Sequence, residues 1–348
     1  MGLVVIHSGV DTLEASFRGH LSDELQERLE LGKGEAQLRS VPHRFDVAGI
    51  PFVINPAGLK PWRYVLSNED LHLRLSPEHR LPTVSARLLT EGLASYGHEG
   101  GYAMAANLAA SLGAGDPRGL SRLDLFADWQ GWVPSMAEME HVVCPAQYRG
   151  THRSGQGMTY QFGRGGTVVR VYNKTAELAV SGKDWLRMAW ARDERYDPDA
   201  DVWRFEVQYR RPALRRFDSE RAEDAFARLG GLLASGLEWC ELRVPHGLSS
   251  DRWETDPRWR AIAEGSFAGE PLERVPEIRN TAQLHKLIPM LAGLTVSGAA
   301  RLREPDFDIA WGLLGDHVWA YLEREDICFA LQVEQRQRRF MGSGGSRK

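Results

Sequence analysis

Three segments of the chain alternate between apolar and polar residues with a period of two, which is the pattern of a β-strand with one buried face. They are SRLDLFAD at 121–128, TVVRVYNK at 167–174 and VWRFEVQYR at 202–210. Solvated strand faces favour Thr, Ser and Lys, whereas these polar faces carry Arg, Asp, Glu and Tyr. If the three strands are neighbours in one antiparallel sheet, one face packs on helices and the other gathers these reactive side chains.

The shared polar face would hold two carboxylates, a tyrosine and several cations. Its members are Arg122 and Asp124 in the first segment, Arg170, Tyr172 and Lys174 in the second, and Arg204, Glu206, Gln208 and Arg210 in the third. A purely structural interpretation stays open, because any half-buried antiparallel sheet alternates in this way. Cross-strand salt bridges such as Arg122–Glu206 would then explain much of the pattern, at roughly 0.2 to 1 kcal/mol per pair.

The chemistry of these residue types favours a site that acts on phosphodiesters. Carboxylates such as Asp124 and Glu206, supplied by separate strands, suit an Mg²⁺ or Mn²⁺ ion that keeps open positions for substrate oxygens. Tyr172 could then attack phosphorus, but a phenol has an unperturbed pKa of about 10 and needs nearby positive charge to ionise at neutral pH. Arg170 and Lys174, on the same strand face, would supply that charge or hold the phosphate.

Composition indicates a globular protein without metal fingers or disulfides. The chain has 348 residues, of which 43% are apolar, and only three cysteines, with no Cys-x-x-Cys pair. No stretch approaches the roughly 20 apolar residues that span a bilayer. The first residues, MGLVVIHSGV, lack a basic region and a cleavage site. We therefore expect a cytoplasmic protein with no membrane partner.

Charge is distributed unevenly along the chain. The formal net charge is −4, which taken whole argues mildly against a nucleic-acid partner. Between Pro145 and Phe217, however, 14 Lys and Arg residues stand against 8 Asp and Glu residues. The basic block contains two of the three alternating segments.

The pattern changes from strands to helices near residue 217. This change predicts two domains, an α+β domain at 1–217 and a helical domain at 218–341, followed by a flexible tail at 342–348. Within the helical part, the segment AGLTVSG at 292–298 is typical of a connection between two helices. The alternative is that it forms the turn of a DNA-binding helix-turn-helix motif.

In its three alternating segments the sequence resembles the replication initiation factor family of rolling-circle plasmids and filamentous phages. This family includes relaxases of integrative conjugative elements. The resemblance rests on SRLDLFAD, TYQFGRGGTVVRVYNK and WRFEVQYRR in that order, with GVDTLEASFRG as the first strand, and covers roughly residues 9–217. The family carries a close variant of R-V-Y-N-K around its nucleophilic tyrosine. The fold that the resemblance implies is an antiparallel sheet backed by helices.

The resemblance also implies roles for individual residues. Tyr172 would cut one DNA strand and become joined to its 5′ phosphate, Asp124 and Glu206 would hold a divalent metal, and Asp128 would be a third contributor. Lys174, Arg170 and Arg204 would contact phosphate. Related nickases bind metal through a His-hydrophobe-His motif. This sequence lacks that motif, because no H-x-H triplet occurs among its 11 histidines.

Further residues are candidates with simpler structural explanations. Arg122 and the cluster RRPALRRF, with Arg210, Arg211, Arg215 and Arg216, suit DNA phosphates, although a solvated charged face would look similar. Tyr160 and Tyr148 could be second nucleophiles, but Tyr160 is expected to pair across a hairpin with the strand of Tyr172. His152 could help deprotonate the phenol or be an exposed loop residue. Trp129 and Trp132 could stack an unpaired base or pack on helices.

The sequence thus predicts a metal-dependent DNA nicking and joining enzyme that initiates rolling-circle replication at the origin of a mobile element. Origin DNA would be the substrate, and the resemblance implies a host helicase, a polymerase and a homodimer as partners. A conjugative relaxase and a DNA-binding regulator that keeps the fold without catalysis are alternatives. A metal-dependent nuclease that uses water in place of tyrosine is another.

Overall fold

The computed structural model describes residues 2–78, 80–154, 157–247, 250–273, 280–325 and 327–333. The chain divides into two compact units, Met1–Arg274 and Val275–Lys348. The first unit contains the strands and the candidate site, and the second contains a helical hairpin. The predicted tail at 342–348 lies outside the described residues.

A large antiparallel sheet of 11 strands forms the centre of the first unit. A smaller sheet has the strand order β14-β13-β8, and the large one has the order β2-β3-β4-β5-β6-β1-β7-β12-β11-β10-β9. The strands are β1 (Val4–Arg18), β2 (His43–Val47), β3 (Ile50–Ile54), β4 (Tyr64–Ser67), β5 (Leu71–Leu75), β6 (Val84–Leu88), β7 (Asp116–Gln130), β8 (Val142–Val143), β9 (Arg149–Ser154), β10 (Gly157–Phe162), β11 (Thr167–Asn173), β12 (Trp203–Arg210), β13 (Glu241–Val244) and β14 (Glu254–Thr255).

The three alternating segments lie in β7, β12 and β11, which are consecutive neighbours in the sheet. Arg170 pairs with Glu206 across β11 and β12, and Tyr172 pairs with Arg204. On the other side of β12, Arg204 pairs with Asp128 of β7. Directly opposed residues in an antiparallel sheet share a face. The predicted fold class, an antiparallel sheet backed by helices and followed by a helical region, is therefore confirmed.

Helices cover the apolar face of this sheet. Leu232 and Leu237 of one helix and Trp259 and Ile262 of the next are buried in the same core as Val207. The helices of the first unit are α1 (Asp23–Arg39), α2 (Thr90–Ser111), α3 (Met136–Met139), α4 (Lys174–Ser181), α5 (Leu186–Trp190), α6 (Arg211–Arg215), α7 (Ala222–Phe226), α8 (Leu229–Trp239) and α9 (Pro257–Gly265).

The polar face is partly covered by α4 and α5. Leu178 of α4 and Leu186 and Trp190 of α5 form a small second core with Ile6 and Val202. The helix α4 begins directly after β11, because the Asn173 side chain accepts a hydrogen bond from the backbone N–H of Ala176 and so caps the helix. The chain therefore turns over the site immediately after Tyr172.

The second unit contains α10 (Asn280–Leu302) and α11 (Phe307–Arg324), which pack on each other. The segment 292–298, predicted to connect two helices, lies inside α10 instead. Gly298 permits the close packing, since a Cβ atom there would lie 2.6 Å from Leu314 Cδ2 of α11. The helix-turn-helix interpretation of this segment is therefore wrong.

The division between the units lies at 274/275, whereas the change in sequence pattern suggested 217/218. The helices α7, α8 and α9 belong to the first unit, since they pack on its sheet. Within the described ranges, no helix combines the length and the apolar character that crossing a membrane requires.

Candidate active site

A cleft of about 510 Å³ opens on the polar face of the sheet, beside α4. Residues from β1, β6, β7, β11, β12 and α4 line it, so the site is assembled from distant parts of the chain. The charged residues and the tyrosine in its wall are Asp11, Arg87, Arg122, Arg170, Tyr172, Lys174, Glu177, Lys183 and Glu206.

The hydroxyl of Tyr172 lies in this cleft beside a carboxylate. It donates a hydrogen bond to Glu206 Oε2 over 3.0 Å. The other oxygen of the same carboxylate, Oε1, accepts from Arg170 Nη1 over 2.8 Å. The structure thus brings together three of the residues singled out in the sequence.

The environment of Tyr172 keeps its hydroxyl protonated. Burial and then the negative charge of Glu206 raise the pKa of the phenol well above its usual value, against the opposing effect of Arg204. Lys174 lies 5.7 Å from the centre of the tyrosine ring, but its Nζ is 2.6 Å from Glu177 Oε2. The expectation that Arg170 and Lys174 lower this pKa is therefore wrong, because both cations are neutralised by carboxylates.

Asp124 lies in the wall beneath the cleft without solvent-exposed surface. Both of its oxygens accept hydrogen bonds from Arg122 Nε, at 2.8 and 2.9 Å. Burial raises the pKa of Asp124 to about 7; Arg122 opposes this shift and the charge of Glu206 adds to it. Arg122 pairs with Asp124 and Arg170 with Glu206, so the suggested Arg122–Glu206 salt bridge is replaced by two others.

Asp128 and Arg204 form a fully buried ion pair. Arg204 Nε donates to Asp128 Oδ1 over 2.6 Å, and Nη2 donates to Oδ2 over 2.9 Å. Trp190 Nε1 also donates to Oδ2 over 2.9 Å. Burial alone would raise the pKa of Asp128, but the charge and hydrogen bonds of Arg204 outweigh it and hold the pKa below its usual range.

This burial conflicts with two predicted roles. Arg204 was expected to contact phosphate, but it has no exposed surface and its third nitrogen donates to Asp11 Oδ1 over 2.6 Å. Asp128 was expected to contribute to a metal site, but its two oxygens are held by Arg204 and Trp190. The buried pair instead contacts the cleft residue Asp11 through Arg204.

Asp11 is the carboxylate that the sequence analysis missed. It lies on β1 where the register with β7 shifts between Val10 and Thr12, and such bulges redirect side chains. Asp11 lines the cleft with Glu206, and both raise the pKa of Asp124 through their charge. The described ranges contain no cluster of three or more His, Cys, Asp or Glu residues arranged to hold a metal ion. Asp11 is nevertheless the type of ligand with which proteins hold Mg²⁺ beside substrate phosphates, and Arg204 engages its Oδ1. The contacts of Glu206 do not favour its predicted metal role, since Arg170 and Tyr172 engage both of its oxygens.

The arginines of RRPALRRF lie at the far end of β12 and in α6, outside the cleft wall. Arg211 donates to the backbone carbonyls of Gly119 and Leu120, and Arg215 pairs with Glu220. Arg210 and Arg216 are exposed. The structure therefore separates this cluster from Tyr172, and its role in DNA binding stays a prediction.

Three of the other candidates, Tyr160, Trp129 and Trp132, are buried. Tyr160 faces the opposite side of the sheet and donates to the Pro134 carbonyl over 3.2 Å; as expected, it pairs across the hairpin with β11. Trp129 and Trp132 are buried and stack on each other, which leaves no ring face for a base. Tyr148 packs against Arg164. His152 is exposed on β9 and lies opposite Thr159, which in turn lies opposite Tyr172, so its role in deprotonating the phenol stays a prediction.

The chain is similar to a known protein in structure but not in sequence. No family model matches the chain, and no curated protein matches it in sequence. Among solved structures, the chain is similar to a rolling-circle replication initiator protein from Geobacillus stearothermophilus, with a TM-score of 0.47 and 17% sequence identity. The similarity covers 76% of this chain and 96% of that one.

Proposed function

We propose that this protein initiates rolling-circle replication by nicking one strand of an origin DNA through a covalent bond between Tyr172 and the 5′ phosphate. The observation that carries the proposal is the hydrogen bond from the Tyr172 hydroxyl to Glu206 within an open, cation-lined cleft. A nucleophile within hydrogen-bond reach of a base is the arrangement that covalent catalysis requires.

The first step would be a transesterification. As the Tyr172 oxygen forms its bond to phosphorus, its proton passes to Glu206 Oε2, and the bond from phosphorus to the 3′ oxygen breaks. The 3′ oxygen takes a proton from solvent and becomes the free 3′-OH that a polymerase can extend. The phosphotyrosine bond conserves the energy of the broken one, so a later 3′-OH can reverse the step and rejoin the strand.

Glu206 can act as the proton acceptor because Arg170 keeps its carboxylate in place. Arg170 Nη1 lies 2.8 Å from Oε1 and holds the carboxylate through a charge-assisted hydrogen bond. Arg170 and Lys174 line the cleft and would contact the non-bridging phosphate oxygens, Arg170 through the Nη2 that Glu206 does not engage and Lys174 once DNA displaces its pairing with Glu177.

The proposal includes a divalent ion, Mg²⁺ or Mn²⁺, that Asp11 would hold through the oxygen that Arg204 does not engage. Glu206 would serve as the proton acceptor rather than as a metal ligand, because Arg170 and Tyr172 engage its two oxygens. When bound, the ion would neutralise the charge that develops on the phosphate oxygens. Asp124 would support this arrangement from below rather than bind the ion, since Arg122 occupies both of its oxygens.

A denaturing gel tests the proposal directly. The protein is incubated with Mn²⁺ and a random-sequence single-stranded DNA pool labelled at the 3′ end, because the fragment joined to Tyr172 carries that end. We expect a labelled protein band that disappears in Tyr172→Phe and persists in Tyr160→Phe, a matched control on the same hairpin. Free cut DNA without a labelled protein band would instead indicate a nuclease that uses water, and DNA binding without cutting would indicate a regulator.

The partners follow from the same proposal. Origin DNA would be the substrate, and a host helicase, a polymerase and a second copy of the chain are predicted partners by resemblance. A conjugative relaxase would use the same cleavage chemistry and differ in the DNA element that it serves.

A further inference from the structure

Arg87 differs from the other cations that line the cleft. Lys174 pairs with Glu177, Lys183 with Glu91, Arg122 with Asp124 and Arg170 with Glu206. For Arg87, no hydrogen bond or ion pair is found within the part of the chain that the structure describes, and its Nε is buried without a partner. A buried donor left unpaired costs free energy, so such a group in a cleft is suited to a ligand.

The neighbours of Arg87 do not neutralise it. It lies on β6 between His72 of β5 and Glu14 of β1. The Glu14 carboxylate is engaged by Arg74 over 2.8 Å. Burial lowers the pKa of His72, and the charges of Arg87 and Arg74 lower it further, so the imidazole is neutral.

The largest electrostatic effect on Arg87 comes from a like charge. Burial lowers the pKa of Arg87 and the positive charge of Arg122 lowers it further, against the opposing effects of Glu14 and Asp124. Two arginines that repel each other in the wall of one cleft would both be stabilised by an anion between them. A phosphate fits because the planar guanidinium forms paired hydrogen bonds to its oxygens.

We propose that Arg87, together with Arg122, binds a second phosphate of the same DNA strand whose scissile phosphate lies at Tyr172. This inference rests on the proposed function. Neighbouring strands lie about 4.8 Å apart, so β6 and β11, which are separated by β1, β7 and β12, lie about 19 Å apart. Because the two residues project from strands this far apart, the proposal places successive phosphates of one DNA strand across the sheet face from β11 towards β6.

Binding of a fluorescein-labelled oligothymidylate to the full chain in EDTA tests the subsite apart from cleavage. We expect Arg87→Gln to weaken DNA binding about tenfold. The logarithm of the association constant should also fall less steeply with the logarithm of the salt concentration, by about 0.7 in slope, which is the value for one lost phosphate contact to single-stranded DNA. Arg44→Gln, an exposed residue on β2, removes the same charge and should retain wild-type affinity and slope. Wild-type affinity and slope in Arg87→Gln would overturn the proposal.

Arg87→Lys separates a lost contact from a disturbed fold. Lysine keeps the charge but loses the paired geometry, so the salt slope should be retained while the affinity falls by less than in Arg87→Gln. An equal loss of slope in Arg87→Lys would show a structural effect and overturn the proposal.

The subsite and the proposed function can fail separately. If no labelled protein band forms with the wild type while Arg87→Gln still weakens binding, the cleavage chemistry fails and the subsite stands. If the band forms while Arg87→Gln and wild type bind alike, the subsite fails and the cleavage chemistry stands.

Discussion

The Tyr172 hydroxyl donates to one oxygen of Glu206, and Arg170 donates to the other. The carboxylate is thereby held between the group it would deprotonate and the cation that orients it. Because the pKa of Tyr172 is raised, spontaneous ionisation at neutral pH is negligible. A proton acceptor in contact with the hydroxyl therefore matters more here than nearby positive charge.

Replacing Glu206 with glutamine should slow adduct formation by about 10² to 10⁴-fold, since the proton acceptor is lost. The remaining route is ionisation of Tyr172 itself, whose pKa is raised, so the rate in Glu206→Gln should rise about tenfold per pH unit through the neutral range. Single-turnover formation of the labelled protein band from about pH 6 to 9 measures this. Equal pH slopes in wild type and Glu206→Gln would show that Glu206 does not take the proton.

Strand alternation was sufficient to predict the shared polar face. The period of two is a local property of a strand, and it placed Arg170, Tyr172 and Glu206 on one face before their pairing was known. That the three strands are neighbours was an assumption that the resemblance supported, since no short connection joins them: α4 and α5 lie between β11 and β12, and β8 to β11 lie between β7 and β12.

The missed parts depend on long-range structure. Asp11 reaches the cleft because β1 joins the sheet beside β7 with a register shift, and Arg87 because β6 joins beside β1. Neither pairing leaves a local signal. The predicted phosphate contact of Arg204 was wrong because the alternating pattern cannot show that α5 covers this part of the polar face. There, Trp190 of α5 donates a hydrogen bond to Asp128.

The buried pair of Arg204 and Asp128 should be important for folding. Arg204→Met leaves Asp128 as an unpaired buried charge, which is expected to cost about 3 to 5 kcal/mol of unfolding free energy. Urea unfolding measures this change. Arg215→Met, which breaks the exposed pair with Glu220, serves as the control and should change stability by at most about 1 kcal/mol. Similar losses in both variants would contradict the structural role of the buried pair.

The raised pKa of Asp124 predicts a loss of stability as pH rises. Between the unfolded value of 3.8 and the folded value of about 7, the folded state holds a proton that the unfolded state has released, so stability falls with pH and levels off above 7. Asn mimics the protonated acid. Thermal unfolding midpoints at about pH 5 and 8 should therefore differ less in Asp124→Asn than in wild type.

Glu194, which is exposed, provides the control for this comparison. Glu194→Gln should keep the wild-type dependence of the unfolding midpoint on pH. If Asp124→Asn also keeps it, the Asp124 carboxylate is ionised across the whole interval and Arg122 outweighs the effect of burial.

The extent of the first unit leads to a prediction about truncation. Trp259 of α9 packs edge-on against Phe205 of β12 at 5.5 Å between ring centres, and the Tyr209 hydroxyl donates to the Leu232 carbonyl of α8. A chain ending at residue 217 would expose this apolar face, at roughly 1.5 to 3 kcal/mol for each large side chain uncovered. We expect it to aggregate, whereas a chain ending at residue 273 should be monodisperse and unfold cooperatively.

Gly236→Ala in the full chain probes the same contact without truncation. A Cβ atom at Gly236 of α8 would lie 2.8 Å from Val207 Cγ1, so the helix must shift away from β12, at about 1 to 3 kcal/mol of unfolding free energy. Gly34→Ala in α1 has open space and is the matched control, which should be neutral or stabilising. If the chain ending at residue 217 folds cooperatively and Gly236→Ala is as stable as wild type, α8 does not form part of the core beneath Tyr172.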